Sequence, residues 1–514
     1  MSNIRHALSV KRADDFAAWY QEVISAADMA EESGVRGCMV IKPWGYGIWE
    51  RIQRLLDDRI KATGHENAYF PLLIPLKNFE REAEHVDGFA KEMAVVTHHR
   101  LIAGPGGGLI PDPDAKLEEP LVIRPTSETI IGDAMARWVQ SWRDLPLKLN
   151  QWANVMRWEM RTRMFLRTSE FLWQEGHTAH ETAAEAKEHT LRMLEVYRAC
   201  AEDDLALPVI AGEKPENERF PGAVETWSIE AMMQDGKALQ AGTSHYLGTN
   251  FAEASGIKFQ DRDGGQQLAH TTSWGVSTRM IGGVIMVHGD DDGLKVPPAI
   301  APWQVVIVPM LREDDGDAAL IDYCESLRAK LAASDALREP VRVYLDSKPG
   351  KAAAKRWDWV RKGAPVIVEV GGRDMADGKV SLLRRDALWN EANGKPAFTF
   401  PTLDEAAAAI PGVLEAMQAS LLSDAAAIRD GRIVRDVTDF AGLEAAFADG
   451  VKNPGWVEVQ WAKPTGAALE KVTEQLKMLK LTLRNVPAGA PAVDGACVFT
   501  GEPAVERVLV ARAY

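Results

Sequence analysis

Residues 149–173 restrict the fold of this chain more than any other stretch. Two segments rich in Trp and in apolar or β-branched residues, Leu149–Trp158 and Thr168–Trp173, flank a short basic loop. So short a connection predicts an antiparallel hairpin. Arg157, Arg161, Arg163 and Arg167 lie in or beside the turn, with Glu159 among them. Guanidinium groups grip phosphate oxygens in pairs and keep their charge. Such a cluster on a rigid hairpin suits a polyphosphate, and the carboxylate suits an amine or hydroxyl of the same ligand. A solvated basic turn is the plain alternative.

The 514 residues predict two to four domains. A net charge of -15 excludes a generic nucleic-acid coat or an anionic-membrane binder, but not a local basic surface for RNA. The four cysteines, Cys38, Cys200, Cys324 and Cys497, are far apart and form no CxxC pair. Neither a disulfide framework nor a zinc knuckle is expected, and a reducing cytoplasmic setting fits. No apolar run is expected to span a bilayer.

Apolar residues at helical spacing predict a helix over 13–32, packing through Phe16, Trp19, Tyr20, Val23 and Ile24. A strand and Gly-rich turn follow at 37–47, then a helix from about 48 to 63 ended by Gly64. Residues 68–75 read as an edge strand because Pro71 has no N–H to donate. Residues 100–119 read as a Gly/Pro/Asp-rich loop. Leu121–Glu128 runs from strand into turn, with a helix expected over 129–144. Thr126 and Glu128 can face a small amine, although Thr126 or Ser127 capping that helix is the commoner arrangement. His177 suits a neutral imidazole in a small polar pocket. Gln240, Thr243 and His245 bracket a Gly turn and can read a ligand by hydrogen bonds. Residues 270–283 read as a strand ending in small residues plus Arg279, which can stack on a flat ring such as a purine. A helix packed on a sheet would also explain those glycines. From Trp303 onward strands and helices alternate, predicting a small α/β domain with a mixed sheet. An Ala-rich helix is expected at 403–430, and strands at 456–461 and 508–510.

Together these stretches resemble the class II aminoacyl-tRNA synthetases, specifically the prolyl-tRNA synthetase family of the archaeal/eukaryotic-like type. Gly64 followed by Pro71 resembles the first class motif. Arg157-Trp-Glu159 through Arg167-Thr-Ser-Glu-Phe171 resembles the second, and Gly275 through Arg279 the third. Arg124-Pro-Thr-Ser-Glu-Thr129 and Phe171-Leu-Trp-Gln-Glu-Gly-His177 are similar to stretches diagnostic of the prolyl enzymes, and Gly242–His245 and Gly289–Leu294 agree.

The resemblance implies an α+β fold: a class II antiparallel sheet with helices over 1–298, an α/β anticodon-binding domain over 299–405, and a small C-terminal α+β domain over 406–514. It implies ATP-dependent attachment of L-proline to tRNA(Pro), on a homodimer built through the first motif. Arg157 would be catalytic, holding the α-phosphate and the amino-acid carboxylate. Glu159 would meet the adenine amine, and Phe171 and Arg279 would sandwich the ring. Arg167, Thr168, Gln240, Thr243 and Ser277 would complete the nucleotide site. Thr126 and Glu128 would take the prolyl nitrogen, in a pocket shaped by Trp173, His177 and His245. Mg²⁺ is expected on the phosphates, with no protein cage. For the anticodon, Glu369, Arg373 and Lys379 are candidates. Tyr514 resembles a family ending that folds back toward the catalytic domain.

Two departures matter. This type often carries a four-cysteine zinc site in its C-terminal domain, but only Cys497 lies there. One thiolate cannot hold structural zinc, so apolar packing is expected instead. The segment between the hairpin and Gln240 is too short for the large bacterial-type editing insertion, so alanine activation is expected. A non-catalytic relative on the same fold is the alternative; retention of Arg157, Arg279, Thr126 and Glu128 disfavours it.

Overall fold

The computed structural model describes residues 6–83, 92–312, 314–448, 450–451, 454–490 and 493–514, with 81–83 as backbone only. Its main element is an eight-stranded sheet in the order Val486–Pro487, Val209–Glu213, Glu225–Met232, Ala238–Gly248, His270–Ser277, Glu170–His180, Leu147–Met156, Glu66–Asn67. All pairings are antiparallel except the last, between Glu66–Asn67 and Leu149–Asn150. The expected hairpin forms its sixth and seventh strands, and its second strand continues to His180. Helix Ala183–Ala199 packs beneath, so one face of the sheet is covered and the other carries a cleft.

Local expectations fail where tertiary contacts outrank periodicity. The first helix is shorter than 13–32. It ends at Ala26, Asp28 turns the chain at φ 56, and Ala30–Glu32 pairs with Met39–Ile41. The Gly-rich turn at 45–47 is instead the first turn of helix Pro43–Lys61, because Pro43 suits a helix start. A Cβ at residue 45 would lie 2.4 Å from the Met29 carbonyl oxygen, so that glycine serves close packing. Only Leu73–Pro75 of the expected strand at 68–75 is a strand. The loop at 100–119 contains a small hairpin, Leu101–Ala103 with Leu109–Pro111, and the start of strand Lys116–Ile123. The helix after Glu128 stops at Trp138. The Gly turn at 238–245 is continuous strand, and the strand read over 270–283 becomes helix at Arg279. Gly282 belongs to that helix, where a Cβ would meet Leu166 at 2.4 Å.

The α/β unit matches its expectation closely. Val343–Leu345, Val305–Pro309 and Val366–Val370 are parallel neighbours, and Ser381–Arg384 closes the sheet antiparallel. Asp290 ties this unit to the one built on the eight-stranded sheet, accepting from Arg385 at 2.8 and 2.5 Å, while Asp292 accepts from the Trp389 indole at 2.7 Å. Helix Leu403–Asp430 runs through the boundary expected at 405, and its first half packs into the α/β core through Leu403, Ala406, Ile410 and Leu414. By length and composition alone it is apolar enough to cross a bilayer, which corrects the expectation that no segment is.

The C-terminal sheet orders Ile433–Val434, Trp456–Trp461, Glu506–Ala511, Thr482–Leu483. Its core is apolar, with Leu443, Val459, Trp461, Val472 and Val508 around a buried Cys497. Tyr514 folds back: its N–H donates to the Ala238 carbonyl at 3.1 Å and its hydroxyl to Asp235 at 2.6 Å, with Arg163 of the hairpin loop over its ring.

Candidate active site

Side chains alternate across a strand, so Phe171, Trp173, Glu175 and His177 share one face. Across the next pairing Ser277, Gly275 and Ser273 stand opposite Trp173, Glu175 and His177. Further on, Thr226 pairs with His245 and Ser228 with Thr243. These faces form the floor of a cleft of about 980 Å³ including its open mouth. Gly176 points away from it. A Cβ there would lie 1.9 Å from the Trp274 ring, so only glycine lets that indole lie on the strand.

One end of the cleft holds Thr126, Glu128, Trp173, His177 and His245. The Thr126 hydroxyl donates to Glu128. Ser127 occupies the N-cap position without capping; its hydroxyl donates to Glu175 at 2.5 Å. Helix capping therefore does not account for these residues. Arg124, 1% exposed, donates to the Asn154 carbonyl at 3.0 and 2.8 Å and to that of Phe70 at 2.8 Å. It staples the Thr126–Glu128 turn to the hairpin.

The two histidines differ. His245 shares a 3.0 Å hydrogen bond with Thr226, and burial, with help from His177 and Lys214, pushes its pKa down to about 3. It is the neutral imidazole of the pocket. For His177, burial opposes protonation, but the Glu175 carboxylate at 2.9 Å and the charge of Glu128 outweigh it, and the pKa is raised. Against the expectation of a neutral His177 stands this buried carboxylate, which favours the protonated form.

At the other end lie Gln240, Thr243, Ser277, Phe171 and Arg279. Arg279 starts its helix and donates to the Leu166 carbonyl at 3.1 Å. Arg157 lies between the two ends. Its Nε donates to the Pro125 carbonyl at 2.9 Å, and its guanidinium sits 5.6 Å from the Phe171 ring centroid and 5.5 Å from that of Trp173. Burial lowers the pKa of both arginines, yet a guanidinium starts so high that each stays cationic at neutral pH.

Glu159, Arg167 and Thr168 are not among the cleft-lining residues. Glu159 accepts from the exposed Arg167 at 2.6 Å, and Thr168 lines a separate depression beside Cys38 and Arg163. Glu175, Glu218, Arg219, Phe220, Thr226 and Ser273 do line the cleft and were not expected. The period of two from Phe171 to His177 points to Glu175. Phe220 sits in a loop beside Pro221 and Gly222 with no local signal.

Residues 113–288 match the family model of the tRNA synthetase class II core domain (G, H, P, S and T), and residues 304–392 that of an anticodon binding domain. The proline–tRNA ligase of Erythrobacter litoralis is 75% identical over 514 residues, 100% of both chains. The chain belongs to the proline–tRNA ligase family. The Novosphingobium aromaticivorans ligase is 69% identical over 511 residues, 99% of each chain. The crystal structure of prolyl-tRNA synthetase from Cryptosporidium parvum, complexed with L-proline and AMP, superposes with a TM-score of 0.86 at 35% identity, covering 99% of this chain and 97% of that one. The hairpin thus lies within a class II synthetase core.

Among the described residues no group of three or more His, Cys, Asp or Glu could hold a metal ion. In the α/β unit, Glu369 is 2% exposed and paired with Arg356 at 2.9 Å, whereas Arg373 and Lys379 are exposed.

Proposed function

We infer that this ligase joins L-proline to tRNA(Pro) in two steps, forming prolyl-adenylate from ATP and then transferring the prolyl group. The observation that carries the reading is the position of Arg157, between the Thr126–Glu128 end and the Gln240–Arg279 end of one cleft. The prolyl carboxylate attacks the α-phosphorus in line, and pyrophosphate leaves. Two anions meet in that step, so a cation must lie between them. Arg157 supplies it, braced by the Pro125 carbonyl and the two aromatic rings. Thr126 and Glu128 take the prolyl nitrogen, and Trp173 and neutral His245 shape the ring pocket. Phe171 and Arg279 hold the adenine between them, with Gln240, Thr243 and Ser277 around the nucleotide. In the second step the terminal ribose hydroxyl of the tRNA attacks the anhydride and AMP leaves.

Mg²⁺ would arrive on the phosphates and supply charge neutralisation there. Glu159, Arg167 and Thr168 stand beside the nucleotide end rather than in its lining, and the charge of Arg167 reaches Arg279 there. The α/β unit would receive the anticodon, with exposed Arg373 and Lys379 available to RNA and Glu369 positioned through Arg356. Homodimerisation through the first motif fits the exposed Tyr69, 75% accessible beside edge strand Glu66–Asn67. A cytoplasmic site of action fits four free cysteines.

The test is proline-dependent ATP–pyrophosphate exchange. R157A should lower it by about a thousandfold or more while leaving the fold intact, as removal of a transition-state cation does. Exchange near wild type in that variant would refute the assigned role.

A further inference from the structure

We propose that Arg484, from the C-terminal unit, is a positioning residue for the nucleotide end of the cleft, acting through Glu230. The sheet register brings the two together. On strand Glu225–Met232, Thr226, Ser228 and Glu230 stand opposite His245, Thr243 and Gln240, all three of which line the cleft. Side chains opposite one another across a ladder share a face. Glu230 is therefore on the cleft side of the sheet, beside Gln240, and is fully buried.

A bare carboxylate there would repel a polyphosphate and compete for Arg279, whose guanidinium already feels the opposing charges of Glu230 and Arg484. Instead Glu230 is held from behind. Arg484 donates to its Oε2 through Nε at 3.2 Å and Nη2 at 2.7 Å; Lys214 Nζ lies 3.3 Å from Oε1, and the Ser228 hydroxyl donates to Oε1 at 3.1 Å. Arg484 is held in turn by its chain neighbours. Val486–Pro487 pairs with Gly212–Glu213 as the outermost strand of the catalytic sheet, and the Asn485 amide donates to the Ile210 and Ser228 carbonyls at 3.0 and 3.3 Å. The C-terminal unit thus delivers one cation to the back wall of the nucleotide site. With Arg484 in place, Glu230 is spent and Arg279 is left for the nucleotide.

The inference rests on the ligase reading, and its test separates the two. Calorimetric Kd values for Mg-ATP without proline, and KM values for ATP and proline in exchange, are measured on R484M, R484K and E230Q/R484M. R484M should weaken ATP binding and raise its KM about tenfold, because Glu230 keeps only Lys214 as a cation and competes for Arg279, while the proline KM stays within about twofold. E230Q/R484M removes both charges and should return ATP affinity to within about threefold of wild type. R484K, which lacks the planar fork, should fall between. A lowered melting temperature with unchanged ATP affinity in R484M, or a double variant no better than the single, would overturn the proposal. Should R484M not fold, R484K decides, and wild-type ATP affinity there overturns it. A wild-type protein without proline-dependent exchange would instead sink the ligase reading, while the Kd comparison still decides the role of Arg484.

Discussion

Glu175 holds three partners at once. It accepts from Ser127 at 2.5 Å, from the Gln151 amide at 2.8 Å, and lies 2.9 Å from His177 Nε2. It joins the Thr126–Glu128 turn to the hairpin and raises the pKa of His177 against the effect of burial. Because the pKa of His177 is raised, the pair stabilises the fold fully below about pH 6.5 and that contribution is lost as pH rises through the folded-state value. E175Q should therefore move the titration of His177 to lower pH, followed by imidazole NMR, and should cost about 2 kcal/mol of stability as a charged hydrogen bond is lost. An unmoved titration would show that Glu175 does not set it. At this scale the sequence was most legible where a side chain's chemistry is its own, as with Arg157, Arg279, Thr126 and Glu128. It was least legible where a neighbour decides the role. Ser127 looks like a cap until Glu175 takes its hydroxyl, and Glu369 looks like a surface charge until Arg356 buries it.

Among elements, the end of the hairpin and the helix beneath it enclose three histidines. The His189 ring lies 5.0 Å from those of His65 and His180. Thr63 and Thr178 each share a 2.7 Å hydrogen bond with one of them. Burial first, then Lys148 and neighbouring imidazoles (His180 for His65, His270 for His180, both His180 and His65 for His189), pushes His65 and His180 down to about 4 and His189 to about 2. These imidazoles are neutral in the fold, while the unfolded chain takes up protons below about pH 6.5. Each histidine therefore withdraws about 1.4 kcal/mol of stability per pH unit as pH falls from 6.5 toward 4. Urea unfolding between pH 7 and 5 should show this before most carboxylates titrate. H189N should flatten the slope by about one proton, and parallel slopes for the two proteins would refute the account. Elements were legible where the pattern is long and local: the hairpin, the alternation after Trp303, and helix Leu403–Asp430. They were illegible where glycine misleads, since Gly45 and Gly282 look like breakers but serve close packing inside helices.

At the scale of the molecule, the catalytic sheet is not closed by its own stretch of chain. Its outermost strand is Val486–Pro487, a two-residue element with no periodicity to announce it. Around that strand Trp456, Leu509 and Ala511 share an apolar cluster with Met232 and Ala238. The Ala238 N–H donates to the Arg512 carbonyl at 2.8 Å. The last residues thus supply an edge, an ion pair and part of a core to the segment that carries Gln240. A chain ended at Gly431 would expose Met232 and leave Glu230 facing Lys214 alone. Full-length protein should melt with this region as one cooperative unit, and the shortened chain should melt at least about 3 °C lower, since about 2 kcal/mol divided by an unfolding entropy of about 0.6 kcal/mol/K for about 300 residues gives that shift. Losing Arg484 from a buried pair costs more than that by itself. Scanning calorimetry of the two proteins decides: an unchanged midpoint would make the C-terminal unit an appended module, and its strand and ion pair incidental to the catalytic core.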